Sequence, residues 1–248
     1  MQAERSTVPW PWLALVALCA LLYLFGLDNP YAPTNGDEMV YIHIARLTAL
    51  SNHWLPLVSD LDHMRNTKPP MLFWQALWAG DWGRQWSLLA LRLPSVVYTF
   101  ATTILVALLA LRISAQARTA CIAAALYLLY FSTFRYGRVY LTSAPETFWF
   151  GLPVLWLVWQ RSAPQADAAV APPGWLQWVL CGLAMGIGAL YKSFALVAPA
   201  AATLWCAVLA SAPARNGPTV LRTTLGSGTS GVLAIGLFSQ WFVFDPDP

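Results

Sequence analysis

Thr34-Asn35-Gly36-Asp37-Glu38, Asn66-Thr67-Lys68-Pro69-Pro70 and Leu91-Arg92-Leu93-Pro94 open, divide and close one polar stretch, residues 29–94, in a chain that is otherwise apolar. The stretch holds Asp37, Glu38, Asp60, Asp62 and Asp81, with Asp28 just before it, and all three histidines (His43, His53, His63). Outside it the chain reads as a succession of hydrophobic windows. The stretch therefore divides the molecule into a loop that can carry chemistry and helices that position it.

Composition supports that division. The chain is 58% hydrophobic and 10% charged, with a mean hydropathy of +0.54. A soluble domain carries about 25% charged residues, so this chain has too little polar surface to cover itself in water. Fourteen tryptophans and nine tyrosines suit a protein with many interfacial positions, where amphipathic rings settle at headgroup level. The net charge of +3 is too small and too dispersed for a nucleic-acid partner. Cys19, Cys121, Cys181 and Cys206 all fall in apolar windows. They have no metal-like spacing, and read as small buried hydrophobes.

Windows of about 20 apolar residues mark membrane helices. They fall near 9–27, 89–111, 119–135, 144–160, 175–191, 194–211 and 224–244. The expectation is an all-α, polytopic membrane bundle of about seven transmembrane helices, forming one domain over residues 1–248. Arg5 precedes an apolar run from Val8 to Leu27 that is too long for a signal-peptide core and lacks a small-residue cleavage site. It reads as a retained anchor. Gly182-x3-Gly186 has the small-x3-small spacing of close helix contacts.

With the N-terminus in the cytoplasm, Arg112, Arg118, Arg161, Arg215 and Arg222 lie in short cytoplasmic connections, as the positive-inside tendency requires. The first extracytoplasmic loop is then 28–88. That orientation leaves Arg46, Arg65, Lys68, Arg84, Arg92, Arg135, Arg138 and Lys192 on the far face, eight cations against six inside with Arg5, so either the topology is inverted or those cations are kept there for a purpose. Cations at headgroup level suit capture of a lipid phosphate, whereas ordinary snorkelling accounts well for Arg84 and Arg92.

Inside the loop, Val40, Ile44 and Leu47 recur at helical spacing from Asp37 to Leu50, and Thr34 or Asn35 can cap that helix. Met71–Trp78 gives a second short segment after Pro69-Pro70. Both are too short to span and read as interfacial amphipathic helices. Asp37 and Glu38 occupy the first turn of the earlier one. Acids there are favoured by the helix dipole alone, by about 0.3–1 kcal/mol. A carboxylate at a desolvated interface can also act as a general base or hold a divalent cation, which makes such a cation the candidate cofactor. Pro69 drives Lys68 toward extended geometry and presents its ammonium in a fixed direction. The ten-residue spacing of the histidines matches no ligand pattern. Arg135-Tyr136-Gly137-Arg138 leading to Thr142-Ser143-Ala144-Pro145-Glu146, and Tyr191-Lys192-Ser193, bring further polar groups to the same face.

Asp37-Glu38-x2-Tyr41, Lys68-Pro69-Pro70 with Trp74 following, Arg92-Leu93-Pro94-Ser95, Gly137-Arg138 and Tyr191-Lys192 occur in this order. Together they resemble the polytopic GT-C glycosyltransferases, in the bacterial branch of the lipid A aminoarabinose transferases and the relatives of protein mannosyltransferases. The resemblance runs from about residue 9 to 211. It implies transfer of a sugar from a polyprenyl-phosphate-linked donor to a lipid or protein acceptor, with inversion, on the extracytoplasmic face of a bacterial inner membrane. It implies catalytic roles for Asp37 and Glu38. It assigns contact with the donor phosphate to Lys68, with Arg138, Lys192, Tyr41 and Arg92 on the same binding face. The chain departs from the family pattern in Thr67, where an acid is common. It departs again in Ser143, where Asp is common, so that Glu146, one turn further on the same helix face, becomes a candidate replacement alongside Ser143. Family members are also about twice as long, with more helices and a C-terminal domain. A second chain supplying that half is therefore a candidate partner. The competing readings are a transporter or flippase for polyprenyl lipids, which needs polar groups at mid-membrane, and a non-catalytic membrane partner.

Overall fold

The computed structural model describes residues 10–29, 36–55, 57–60, 69–162, 173–210, 212 and 216–244, with side chains as far as Trp241. The elements are α1 (Trp10–Leu24), α2 (Gly36–Ser51), α3 (Met71–Ala79), α4 (Leu88–Ser114), α5 (Ala117–Leu129), α6 (Phe131–Tyr136), α7 (Ser143–Arg161), α8 (Trp175–Ala189), α9 (Val197–Ala210) and α10 (Gly217–Phe244). Two 3-10 turns, Asp81–Gly83 and Phe194–Leu196, complete them, and the described residues hold no strand. The fold is all-α, and each of the seven apolar windows coincides with helix.

The seven-span count is a different matter. Among the described residues one helix, Leu88–Ser114, is long and apolar enough to cross a membrane by itself; α1, α5, α8 and the Phe194–Ala210 segment are apolar but shorter. A bilayer core needs about 20 residues. Polar residues dilute the longer α10, whose middle reads Gly226-Ser227-Gly228-Thr229-Ser230-Gly231.

Neighbouring helices pack in the spatial order α1, α5, α4, α7, α8, α10, α9, and α2 and α3 lie against each other with α3 on α4. Small residues set the closest approaches. A Cβ on Gly182 would lie 2.8 Å from the Ser230 carbonyl, and one on Gly186 2.8 Å from Leu237. The α8–α10 seam therefore runs along the Gly182-x3-Gly186 face, and Ser230 Oγ donates across it to the Trp178 carbonyl (2.6 Å). Ser87 caps α4, its hydroxyl accepting from Ala90 N (3.1 Å). Ala115 closes the same helix in a left-handed conformation, its N–H returning to Leu111 O.

The two short helices expected within the polar stretch form as the periodicity predicts. α2 buries Tyr41, Ile44, Ala45 and Thr48, and α3 buries Leu72, Phe73, Ala76 and Leu77. Of these, Tyr41, Ile44, Ala45, Leu72, Phe73 and Ala76 join Leu91, Val139, Tyr140 and Tyr191 in one apolar cluster. α3 is docked at its start: Met71 N donates to Leu190 O (3.2 Å), Tyr140 Oη donates to Leu72 O (2.9 Å), and Pro69 and Pro70 are buried. The caps expected at Thr34 or Asn35 lie outside the described residues, as do Asp62, His63, Arg65 and Lys68.

Candidate active site

The 29–94 stretch is tied to the bundle by one buried ion pair. Glu38 is 0% exposed and Arg92 1%. Arg92 Nε donates to Glu38 Oε1 (2.7 Å) and Nη2 to Oε2 (2.8 Å), a two-point fork. Its Nη1 donates to Leu27 O (2.7 Å) and Asn29 O (3.4 Å). Glu38 Oε1 accepts a third bond, from Tyr140 N (2.8 Å). Four segments thus meet at one pair: the end of α1, the first turn of α2, the second turn of α4 and the chain before α7. The sequence reading expected Glu38 to act in chemistry and Arg92 to meet a phosphate. Both oxygens of Glu38, and Nε, Nη1 and Nη2 of Arg92, are instead turned inward, because an unpaired charge at this depth would cost several kcal/mol.

Its neighbour faces the other way. Successive helix positions differ by about 100°, so burying Glu38 leaves Asp37 exposed at the α2 N-terminus. One turn on, Tyr41 is 8% exposed and meets Phe73 edge-on at 6.0 Å. Burial first, then the charges of Asp37 and Glu146, push its phenol above the ordinary tyrosine value. Glu146, in the first turn of α7, is nearly buried and lies 3.8 Å from the half-exposed ammonium of Lys192. Two carboxylates from different helices, Asp37 and Glu146, therefore act on Tyr41, and Glu146 in turn faces Lys192. Of the two candidates at the start of α7, Glu146 reaches this group. Ser143 lies one turn earlier and lines a separate 340 Å³ pocket with Thr99, Thr133 and Gly137.

Behind Lys192 runs a chain of hydroxyls that the sequence reading missed. Tyr98 Oη and Tyr191 Oη share a hydrogen bond (3.0 Å), Tyr191 Oη donates to Gln75 Oε1 (3.0 Å), and Trp149 Nε1 donates to Tyr98 Oη (3.3 Å). The sequence signal was available: Tyr98, Trp149 and Tyr191 all sit within a few residues of the polar connections. Arg138 is placed apart from this group. Its Nη1 donates to Tyr23 O (3.2 Å) and its guanidinium lies 4.6 Å over the Phe134 ring, with burial lowering its pKa.

With Glu38 consumed by Arg92, the carboxylates near Tyr41 are Asp37 and Glu146. Among the described residues no group of three or more His, Cys, Asp or Glu forms a metal-binding set. Magnesium is held by one or two carboxylates, with water and substrate phosphate completing its shell, and Asp37 is the exposed carboxylate that could serve in that way.

A family model described as dolichyl-phosphate-mannose-protein mannosyltransferase matches residues 12–238. The chain belongs to this family. Among its relatives is an undecaprenyl phosphate-alpha-4-amino-4-deoxy-L-arabinose arabinosyl transferase of Pseudomonas aeruginosa (strain UCBPP-PA14), 31% identical over 186 residues, 74% of this chain and 32% of the relative. The transferase 1 of the same description from Sodalis glossinidius is 28% identical over 234 residues, 93% of this chain and 39% of that protein. The structure of the S. cerevisiae protein O-mannosyltransferase Pmt1-Pmt2 complex bound to the sugar donor superposes with a TM-score of 0.63 over 97% of this chain and 34% of that one, at 15% identity. That likeness establishes a shared mannosyltransferase-family fold. The chain spans between 32% and 39% of the length of these proteins.

Proposed function

We propose that this chain takes part in glycosyl transfer at a membrane, moving a sugar from a polyprenyl-phosphate-linked donor to a lipid or protein acceptor. The observation that carries the reading is the split between two adjacent acids: Glu38 locked to Arg92 in the interior, and Asp37 exposed near Tyr41, which Glu146, the partner of Lys192, also acts on. In this reading Asp37 is the catalytic base. The acceptor oxygen bonds to the anomeric carbon, its proton passes to Asp37, and the bond from that carbon to the carrier phosphate breaks with inversion. Lys192, and Lys68 from the stretch next to the buried Pro69-Pro70, meet the charge that develops on the leaving phosphate. Glu38 and Arg92 are positioning residues that fix the α2 N-terminus. Glu146 orients Lys192.

Family membership supports this chemistry, and the apolar composition supports a seven-span arrangement in a bacterial inner membrane, with the N-terminus cytoplasmic and the site periplasmic. The test is transfer from a radiolabelled polyprenyl-phosphate sugar in membranes. Asp37→Asn and Lys68→Ala each abolish product while insertion and thermal unfolding stay as in the parent. Unchanged product in both variants would refute the reading and favour a non-catalytic membrane partner.

A further inference from the structure

A second pocket lies at the C-terminal end of α2, two or more turns beyond Glu38. It has a volume of about 300 Å³ and is lined by Arg46, Ala49, Leu50, Trp82, Gly83 and Trp86. Its floor is an unusual turn. Asp81 (φ 46°), Trp82 (φ 53°) and Gly83 (φ 85°) are all left-handed in succession, a conformation that is sterically costly for residues with a Cβ. Packing holds the turn in place. Trp82 stands edge-on to Trp54 at 4.7 Å, Trp54 is edge-on to Trp74 at 6.1 Å, and Trp74 Nε1 donates to Trp54 O (2.9 Å). Trp86 presses so closely on Gly80 that a Cβ there would meet its ring at 2.9 Å.

The groups around the pocket suit one class of ligand. Arg46 is exposed and makes no ion pair among the described residues, while the turn's own acid, Asp81, is engaged by Arg84 at 3.5 Å. The Trp86 indole N–H is shielded from solvent and has no acceptor among the described residues. The pocket is open at Leu50, which is 76% exposed, and two tryptophans outside its lining are exposed too: Trp54, 52%, which packs on Trp82, and Trp78, 78%, one turn beyond Trp74. A tryptophan band of this kind settles at the headgroup level of a bilayer, and an arginine beside it attracts anionic headgroups.

We infer that this pocket binds the anionic headgroup of a membrane phospholipid, a phosphate carried on a polyol. Arg46 takes the phosphate, the Trp82 and Trp86 faces cover the polyol, and Leu50, Trp54 and Trp78 enter the headgroup region beside it. The site is separate from the Tyr41 group. It rests on the membrane reading above and requires nothing of the transfer reaction.

The test uses the full chain in nanodiscs of equal phosphatidylcholine and phosphatidylglycerol, followed by native mass spectrometry of retained lipid. The parent protein keeps phosphatidylglycerol in preference to phosphatidylcholine. Arg46→Gln lowers that retention about fivefold, the worth of one basic residue at a lipid surface, and Trp82→Ala lowers it as well. Arg118→Gln, on the α5 side, and Asp37→Asn leave it unchanged, so loss of this site and loss of transfer are read separately. Glycerol 3-phosphate then asks which part is recognised. Displacement of the lipid supports headgroup recognition alone, and lipid that stays bound supports recognition of headgroup and chains together. Equal retention by the parent and Arg46→Gln, with both proteins unfolding at the same temperature, overturns the inference.

Discussion

Arg92→Met is the sharpest test of how the polar stretch is held. The substitution removes four hydrogen bonds at once, two to Glu38 and one each to the carbonyls of Leu27 and Asn29. It strands a carboxylate that is 0% exposed. Breaking a buried pair by deleting one partner costs about 3–5 kcal/mol, mainly because the remaining charge is uncompensated. At about 2–4 °C per kcal/mol for a chain of this size, the midpoint of thermal unfolding in detergent falls by roughly 6–20 °C. Adding Glu38→Gln separates charge from shape. The amide oxygen still accepts from Tyr140 N, and no buried charge is left, so the double variant regains a large part of the loss. The assay is size-exclusion chromatography after a temperature series, reading the tryptophan signal of the monodisperse peak. A shift under about 2 °C for Arg92→Met, or a double variant no better than the single one, would show that the pair does not carry the docking.

Gly137 and Gly151 give a contrasting pair. A Cβ on Gly137 would lie 2.7 Å from the Thr133 carbonyl and 2.9 Å from both Thr99 Oγ1 and Tyr23 Oη, whereas one on Gly151 meets nothing within 4 Å. Gly137→Ala therefore destabilises by about 1–3 kcal/mol, and Gly151→Ala, inside α7, stabilises by about 0.5–1 kcal/mol, both read from the same unfolding series. Burial, then the Tyr41 charge, holds the Tyr140 phenol well above 10.0. The unfolded chain thus loses this proton first, and stability that is full below pH 10 falls as pH rises past it. Tyr140→Phe flattens that alkaline decline, while costing about 1 kcal/mol at neutral pH for the lost bond to Leu72 O; an unaltered slope would dismiss the buried phenol as its source. Lys192→Ala leaves unfolding within about 1 kcal/mol of the parent, because its partner lies 3.8 Å away and the ammonium is half exposed, yet it lowers transfer strongly. A matching loss of both would make Lys192 structural.

Periodicity and composition made the helices legible. The apolar windows, the amphipathic run from Asp37 to Leu50 and the Pro-Pro start of α3 all depend on local spacing, and each is helix in the structure. Partnership across the chain was not legible in the same way. Glu38 and Arg92 are 54 positions apart, and Glu38 and Tyr140 are 102 apart. No periodicity reports on contacts at that range. The left-handed turn at Asp81 and Trp82 was equally hidden, because residues with a Cβ rarely adopt it and packing against Trp54 imposes it.

The adjacent acids show where sequence reasoning about the site stopped. Asp37 and Glu38 have the same charge and share one helical turn, and the dipole argument treats them alike. Only the direction of the interior separates them. One clue did point that way. Arg92 stands between Leu91 and Leu93 in the one helix among the described residues that is both long and apolar enough to cross a membrane, where a guanidinium must snorkel out, pair or unfold its surroundings. The second turn of α4 lies at the same end of the bundle as the first turn of α2, so the paired option calls for an acid from the 29–94 stretch. That requirement consumes one member of the pair and leaves the other exposed at the helix N-terminus. Burial of Arg92 and exposure of Asp37 are thus one structural fact, and any change that frees Glu38 from Arg92 must also move Asp37.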